Sequence, residues 1–578
     1  MAGRPGPDPS PGAILGQGGV RQRASRFVII GLMRFLSTVR ARTLLLILAT
    51  LLLIFVPLTL RPLFNLNEGL YAEVAREMLA GNPLIPRLDG LPYLEKPPLL
   101  YWLIMAAYKV FGIGKFAARL PSALAALGTL ATVTVFARRR FAEPVWPALI
   151  LLTSIGFYIM SQLAMFDMTF TVFHTITLLA FYAYIENPDK PSYLYGSAAA
   201  SALAVLTKGL IGIVLPGLIV LAFLAIERKR IPWRPFLIAL GVFFVIALPW
   251  HVWMTLHVPG FFDRYIIQEH FDRFLGTLKP MDYRQPPVYY NLEHLVLGIF
   301  PWTPFFLEAL VRRRPYDRLD RFLLLWAAVY LVFFTISKTS SSYYMLPAFP
   351  ALALFTGRAL PDRKNATLPW WLALFALLCI VGALFALHIP HPAMRPYVVA
   401  VALVYLGFFL AALQEHRPQQ DRLLMQAAIG TLAASSALFL IFFLAHPGAY
   451  SSKRLARAIH GRLTPYTDVF VAHHYEDLSS FDFYLHRPIY VFDPHQGDLY
   501  YGIRHFRPRR LITGEALVRL VRRRPVMIAG PRQDIPAWAR YGHFHIVAQE
   551  GPDVVVANAL AARSHSPSRR HHASPPAS

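Results

Sequence analysis

Long apolar runs separated by short charged segments set the pattern of this chain. The first run, 43–60, is uninterrupted and has the ~20-residue length that carries a helix across ~30 Å of hydrocarbon. Comparable runs follow near 118–137, 145–163, 169–185, 192–206, 210–226, 235–256, 292–311, 322–336, 343–359, 368–388, 397–413 and 425–445, which makes thirteen predicted spans. The segment 98–111 is too short and too aromatic for a span, so an interfacial helix is predicted there and another around 27–39. No small-residue cleavage site follows the first run, so it reads as an uncleaved signal-anchor. After His446 the pattern changes. Strand-like runs at 469–472, 489–492, 526–528 and 554–557 alternate with helical stretches such as 514–522, which predicts a small α/β domain.

Charge orients this map. Arg138-Arg139-Arg140, the 227–230 cluster, Arg312-Arg313-Arg314 with Arg318 and Arg321, Arg358 with Arg363 and Lys364, and Arg417 with Arg422 all fall on the cytoplasmic side if the N-terminus is inside. The other polar segments then face outward. The expected organisation is a basic cytoplasmic tail over 1–42, a transmembrane domain over 43–445 with its first outer loop at 61–117, an outer soluble α/β domain over 446–561, and a disordered Ser/Pro/His/Arg-rich tail over 562–578. The fold class is a polytopic α-helical membrane protein of about thirteen transmembrane helices, with outer-face interfacial helices and a C-terminal α/β domain.

Composition narrows the function. Of 578 residues 56% are hydrophobic and only 15% charged, which excludes an ordinary cytosolic enzyme and a disordered chain. A single Cys excludes a disulfide framework and any Cys-based zinc module. The 57 Lys and Arg outnumber the 32 Asp and Glu, but no compact basic domain or stacking motif accompanies them, so nucleic acid is not an expected partner. No nucleotide-phosphate loop is present.

Four polar clusters on the outer side resist a reading as simple membrane anchors, because charge beside an apolar span is costly. In the first, 66–79, Leu70, Tyr71, Val74 and Met78 form a stripe that predicts an amphipathic helix on the membrane, with Asn67 as N-cap and Glu68 at its start. The second is Glu95-Lys96-Pro97-Pro98, where the prolines hold the chain extended and the lysine can bind a phosphate. The third is Asp167, between Phe166 and Met168. The fourth gathers Lys208, the 269–274 element with His270 and Arg273, and Lys338 ahead of Tyr343 and Tyr344. Together they suggest a cavity that holds an anion at the headgroup plane. That chemistry suits a lipid-linked phosphosugar: cations stabilise the departing phosphate, and one carboxylate takes the proton of the acceptor hydroxyl.

At these residues the chain resembles the bacterial lipid-linked glycosyltransferases of the C superfamily fold, especially the 4-amino-4-deoxy-L-arabinose (lipid A) transferases and their protein O-mannosyltransferase relatives. The matching elements run in order: the first-loop Asn67-Glu68 with Tyr71-Ala72-Glu73 and Arg76-Glu77-Met78, then Glu95-Lys96-Pro97, Asp167, Thr207-Lys208-Gly209, His270-Phe271-Asp272-Arg273-Phe274, and the late Lys338 before Tyr343 and Tyr344. The resemblance implies a monosaccharide moved from a polyprenyl-phosphate donor to an envelope acceptor (a lipid A-like lipid, a protein or a glycan) on the periplasmic face of the inner membrane. It implies Asp167 or Glu68 as the base. Lys96, Lys208, Arg273, Lys338, Tyr343 and Tyr344 become phosphate-binding candidates, supported by Asn67, Glu95 and His270. No cofactor is required by the sequence; the resemblance leaves room for a divalent metal at Glu95 and His270. Two departures stand out: Asn67 replaces the family's first-loop Asp, and Leu70 its Arg. The alternatives are a transporter or flippase of an anionic polyprenyl-linked lipid, which should show an internal repeat that is not evident here, and a catalytically inactive homologue.

Overall fold

The computed structural model describes residues 39–278, 286–313, 315–360, 450–472, 475–487, 489–492, 511–512 and 514–563, with single positions between them. The expected spans at 368–388, 397–413 and 425–445, the interfacial helix expected around 27–39 apart from its last residue, and nearly all of the 562–578 tail lie outside these residues. Two compact units are present, Met1–Val56 and Pro57–Ser578. In the first, the apolar run forms helix α1 (Val39–Leu60), which continues into the second.

The second unit begins with α2 (Glu68–Ala80) and, after a two-stranded turn of β1 (Arg87–Leu88) and β2 (Leu91–Pro92), α3 (Leu99–Phe111). The apolar runs then become α4 (Lys115–Arg138), α5 (Val145–Thr153), α6 (Ile155–Ser161), α7 (Phe166–Glu186), α8 (Ser192–Lys208), α9 (Ile211–Ile226) and α10 (Trp233–His257). After a π-helical segment, Phe262–Asp272, come α11 (Tyr290–Gly298), α12 (Thr303–Arg312), α13 (Arg318–Ile336) and α14 (Phe349–Ala359). Among the described residues α4, α7, α10 and α13 are long and apolar enough to cross a membrane, and α11 with α12, bent by 100°, would make a fifth as one broken span.

The other expected spans on described residues are shorter or interrupted, for local reasons. Ser154 is extended and splits α5 from α6. Pro301 and Pro304 interrupt the run that gives α11 and α12. Tight packing holds these broken pieces together. A Cβ on Gly156 would lie 2.7 Å from the Phe349 ring, and one on Gly298 would lie 2.2 Å from it, so only glycine lets the ring wedge between α6 and α11. Within the helices Thr129, Thr171 and Thr175 return their hydroxyls to the carbonyl four residues back, which satisfies them in apolar surroundings.

The basic clusters assigned to one membrane face meet acids there. Glu227 at the end of α9 accepts from Arg318 and Arg321 at the start of α13, Arg358 and Arg313 reach Asp320 at 3.0 and 3.2 Å, and Arg140 pairs with Glu186.

The C-terminal region is an α/β layer. Its six strands are β3 (Asp468–Ala472), β4 (Tyr490–Phe492), β5 (Leu511–Ile512), β6 (Val526–Pro531), β7 (Phe544–Glu550) and β8 (Asp553–Asn558), in the order β5-β4-β3-β6-β8-β7. The first four are parallel, with Phe470 opposite Tyr490 and Ile528; β8 and β7 close the edge antiparallel. The four expected strands are present. The two unexpected ones are β5, only two residues long, and β7, where exposed positions dilute the apolar signal.

One expectation is corrected. Helix α2 does not lie on a membrane surface with a free polar face. Glu68 to Ala75 are all buried, because α3 covers one side and the C-terminal region covers the other. Gly69 touches backbone: a Cβ there would fall 2.5 Å from the Ser480 Cα. The charged face predicted for solvent instead meets this region, with Arg76 bonding the Phe483 carbonyl at 3.5 Å and Glu73 at 2.5 Å. Asn67 precedes the helix without capping it; its Oδ1 accepts from the Tyr71 hydroxyl at 3.1 Å.

Candidate active site

Helix polarity brings the first pair together. Asp167 occupies the first turn of α7, where the dipole favours an acid, and Lys208 the last turn of α8, where it favours a base. The two helices pack against each other, and the Lys208 ammonium is ion-paired with the Asp167 carboxylate. Gly209, at φ +82°, ends α8 in the left-handed region and turns the chain into α9. The Lys208 ammonium also stands 4.4 Å from the Tyr344 ring and 5.7 Å from the Tyr343 ring.

A second group comes from the extended Glu95-Lys96-Pro97-Pro98 segment and the π-helical segment. In the wider π turn, residues five apart share a face, which aligns Arg264 with Glu269. Glu95 accepts from Arg264 at 2.5 Å and from the Tyr93 hydroxyl at 3.2 Å. Glu269 is the hub: Arg273 lies at 2.7 Å, Arg264 at 3.0 Å and Lys96 at 3.8 Å. Burial alone would raise the Glu269 pKa, but Arg273, Arg264 and Lys96 outweigh it and hold the carboxyl down to about 2. Lys96 is the most loosely held of these cations.

Both groups face one chamber of about 350 Å³. Lys96, Lys208 and Arg273 line it with Glu95, Asp167 and Glu269, and Asn67, His270, Tyr343 and Tyr344 add to its polar wall. The rest is apolar. Val214, Phe271 and Leu275 line the chamber and are also 40%, 53% and 61% exposed, so its mouth has a greasy rim.

Lys338 is not among the lining residues. It is exposed, its backbone N–H bonds the Phe274 carbonyl at 3.0 Å, and its neighbours Ser337 and Thr339 take the wall instead. Glu68 stands apart in a buried knot. Its two oxygens accept from Arg119 at 2.7 and 2.8 Å, Arg61 at 2.7 Å, the Ala164 N–H at 2.9 Å and the Phe64 N–H at 3.1 Å. Burial pushes the Glu68 pKa up, but Arg119 and Arg61 more than reverse this and leave it well below the ordinary carboxylate range. Every acceptor position on Glu68 is engaged, so it is poorly suited to take a proton.

Glu95 and His270, the pair considered for a divalent metal, do not fit one in this arrangement. The His270 Nδ1 donates to the Tyr265 carbonyl at 2.6 Å and Nε2 accepts the Leu210 N–H at 3.0 Å, so neither nitrogen offers a lone pair. Glu95 is committed to Arg264 and Tyr93, and no cluster of three or more metal-binding side chains occurs among the described residues. Burial pulls the His270 pKa down to about 4, which keeps the ring neutral.

Sequence reasoning missed Arg61, Arg119, Arg264, Tyr93 and Thr339. For Arg119 a signal existed, since a charge just inside a predicted span demands a buried partner. For Tyr93, Arg264 and Thr339 nothing local distinguishes them from neighbours; only the chain's return brings them together.

Comparisons with known proteins bear on the family and the fold. A family model described as dolichyl-phosphate-mannose-protein mannosyltransferase matches residues 95–253. An undecaprenyl phosphate-alpha-4-amino-4-deoxy-L-arabinose arabinosyl transferase of Proteus mirabilis is 30% identical over 347 residues, which cover 58% of this chain and 62% of the relative. The corresponding protein of Pseudomonas paraeruginosa is 28% identical over 459 residues, 75% of this chain and 79% of the relative. The match to the first of these spans less than two thirds of that relative's length. Among solved structures, ArnT from Cupriavidus metallidurans bound to undecaprenyl phosphate superposes with a TM-score of 0.80 at 27% identity, covering 90% of this chain and 98% of that one.

Proposed function

We propose, from its place in the GT-C family of lipid-linked glycosyltransferases as a helical membrane protein with an ArnT-like fold, that this chain moves a monosaccharide from an undecaprenyl-phosphate donor to an envelope acceptor. The observation that carries the reading is one chamber lined by Lys96, Lys208, Arg273 and Asp167 behind an apolar rim. A phosphate on a polyprenyl tail needs that combination: cations for its head and a greasy exit for its chain. The relatives' names favour an aminoarabinose-type sugar, and the motif resemblance favours a lipid A-like acceptor. The full layout completes the proposal: thirteen spans, the chamber and the 446–561 domain on the periplasmic side of the inner membrane, and the 1–42 tail inside.

In the reaction, the acceptor hydroxyl gives its proton to Asp167, its oxygen bonds the anomeric carbon, and the carbon–oxygen bond to phosphate breaks. The electron pair leaves with undecaprenyl phosphate, whose growing charge Lys96, Arg273 and Lys208 stabilise. Direct displacement inverts the anomeric centre. Lys208 has two roles in sequence. Before the donor binds it neutralises Asp167; when the phosphate arrives it turns to the stronger anion and leaves the carboxylate free to act. Asn67 cannot accept a proton, and Glu68 is fully bonded, so the base assignment falls to Asp167. Glu68 becomes the strut that fixes the first outer loop to the turn preceding Asp167.

Incubating purified protein with an undecaprenyl-phosphate sugar labelled in the sugar tests this. Label should pass to the acceptor with stoichiometric release of undecaprenyl phosphate. Movement of intact donor across a vesicle without release would replace the transferase reading with a flippase.

A further inference from the structure

His270 lies where the resemblance leaves room for a metal ligand, yet both of its ring nitrogens are already spent on backbone. The Nδ1–H···O=C bond to Tyr265 at 2.6 Å fixes the tautomer, and this leaves the Nε2 lone pair for the Leu210 N–H at 3.0 Å. That N–H belongs to the turn linking α8 to α9, just beyond the end of α8, two residues from Lys208. The ring is pressed against this turn. A Cβ on Gly209 would fall 2.1 Å from Nε2 and 2.8 Å from the Tyr265 hydroxyl. Glycine is thus required twice at this position, for its φ of +82° and for the contact with the imidazole. Behind the ring, Tyr265 stacks on Phe261 with centroids 5.1 Å apart, and Trp250 meets both edge-on, so the imidazole rests on a buried aromatic base.

Resting on the donor-phosphate reading above, we infer that His270 is a positioning residue. It clamps the Gly209–Leu210 turn so that the Lys208 ammonium is held between Asp167 and the donor phosphate, and it does so without a metal ion. The clamp explains why Thr207-Lys208-Gly209 and His270, far apart in sequence, form one unit. An acceptor atom is all that His270 must supply at Nε2. A glutamine carbonyl can supply the same atom at similar reach, whereas alanine cannot.

The test uses the full-length protein purified from membranes. Donor KM, kcat and acceptor KM would be measured for wild type, His270→Gln, His270→Ala and Gly209→Ala, alongside metal content by mass spectrometry and turnover in EDTA with and without added zinc. The expected pattern has His270→Gln within about threefold of wild type, and His270→Ala and Gly209→Ala raising donor KM by about tenfold or more with acceptor KM unmoved. A purely structural role would lower the melting temperature without this split. Wild type should carry no stoichiometric metal and should keep its turnover in EDTA. Stoichiometric metal that disappears in His270→Gln, or activity lost to EDTA and restored by zinc, would overturn the inference. If wild type releases no undecaprenyl phosphate, the transferase reading has failed instead. The clamp is then judged by undecaprenyl phosphate binding, with weaker binding in His270→Ala than in His270→Gln supporting it and equal binding refuting it.

Discussion

Glu68 and Asp167 start from the same chemistry and end in opposite circumstances. Both are buried carboxylates paired with cations. Glu68 has two arginines that are fully buried, two backbone N–H donors, and no acceptor position left over. Among the described residues Asp167 has one ion-pair partner, a lysine on a flexible stem that also faces an anion-sized chamber. A carboxylate saturated on every side holds structure. A carboxylate whose single partner can turn to a competing anion is available for chemistry. Number of partners and their freedom to leave separate the two roles; burial does not.

The largest effect that would break this comparison is on folding. Glu68→Gln leaves two buried guanidinium groups facing a neutral amide, and removal of one member of a buried pair costs about 3–5 kcal/mol. Little folded protein should reach the membrane, as read by detergent-extracted monomer on gel filtration. Folded but inactive Glu68→Gln would return Glu68 to the catalytic group. Next, Asp167→Asn should fold normally and lose about 10²–10⁴ in turnover, the usual worth of a general base. Lys96→Ala should then raise donor KM by about tenfold, since its ion pair is the longest of the three to Glu269, at 3.8 Å, and leaves the ammonium free to meet the donor.

pH sharpens the contrast further. Glu269 has its pKa depressed from 4.5 to about 2, so its contribution is complete above its ordinary value and is lost as pH falls toward about 2. The carboxylates between α2 and the C-terminal region have the opposite sign. Burial, reinforced by Asp482 for Glu73 and by Asp89 for Asp482, raises both well above the ordinary range. Their charged forms oppose docking at neutral pH, and protonation favours it as pH falls. Asp482→Asn should therefore raise stability modestly at pH 7, by about 1 kcal/mol, with less gain near pH 5. Thermal unfolding followed at both pH values checks this; a loss at pH 7 would contradict it.

Much of the architecture was legible in the chain. The α4, α7, α10 and α13 runs are long and apolar, and strands β3, β4, β6 and β8 are bounded by clear breaks, so the hydrophobic pattern located them. Helix ends carried the Asp167 and Lys208 signal. The role of Glu68 was not legible, because it depends on Arg61 and Arg119 arriving from a separate loop and helix. The same holds for α2: its sequence is amphipathic, and only the C-terminal region, hundreds of residues later, covers its polar face. The surroundings of His270 were not legible for a related reason. A histidine's role is set by what meets each ring nitrogen, and here those partners are backbone groups that no side-chain pattern reveals.

The most direct test of the central claim is single-turnover transfer by Asp167→Asn. The protein would be reconstituted with the labelled undecaprenyl-phosphate sugar and compared with wild type at equal donor occupancy. The account predicts that the variant binds donor as well as wild type or better, since Lys208 is released to the phosphate, while undecaprenyl phosphate appears at least about a hundredfold more slowly. Release at the wild-type rate would contradict it.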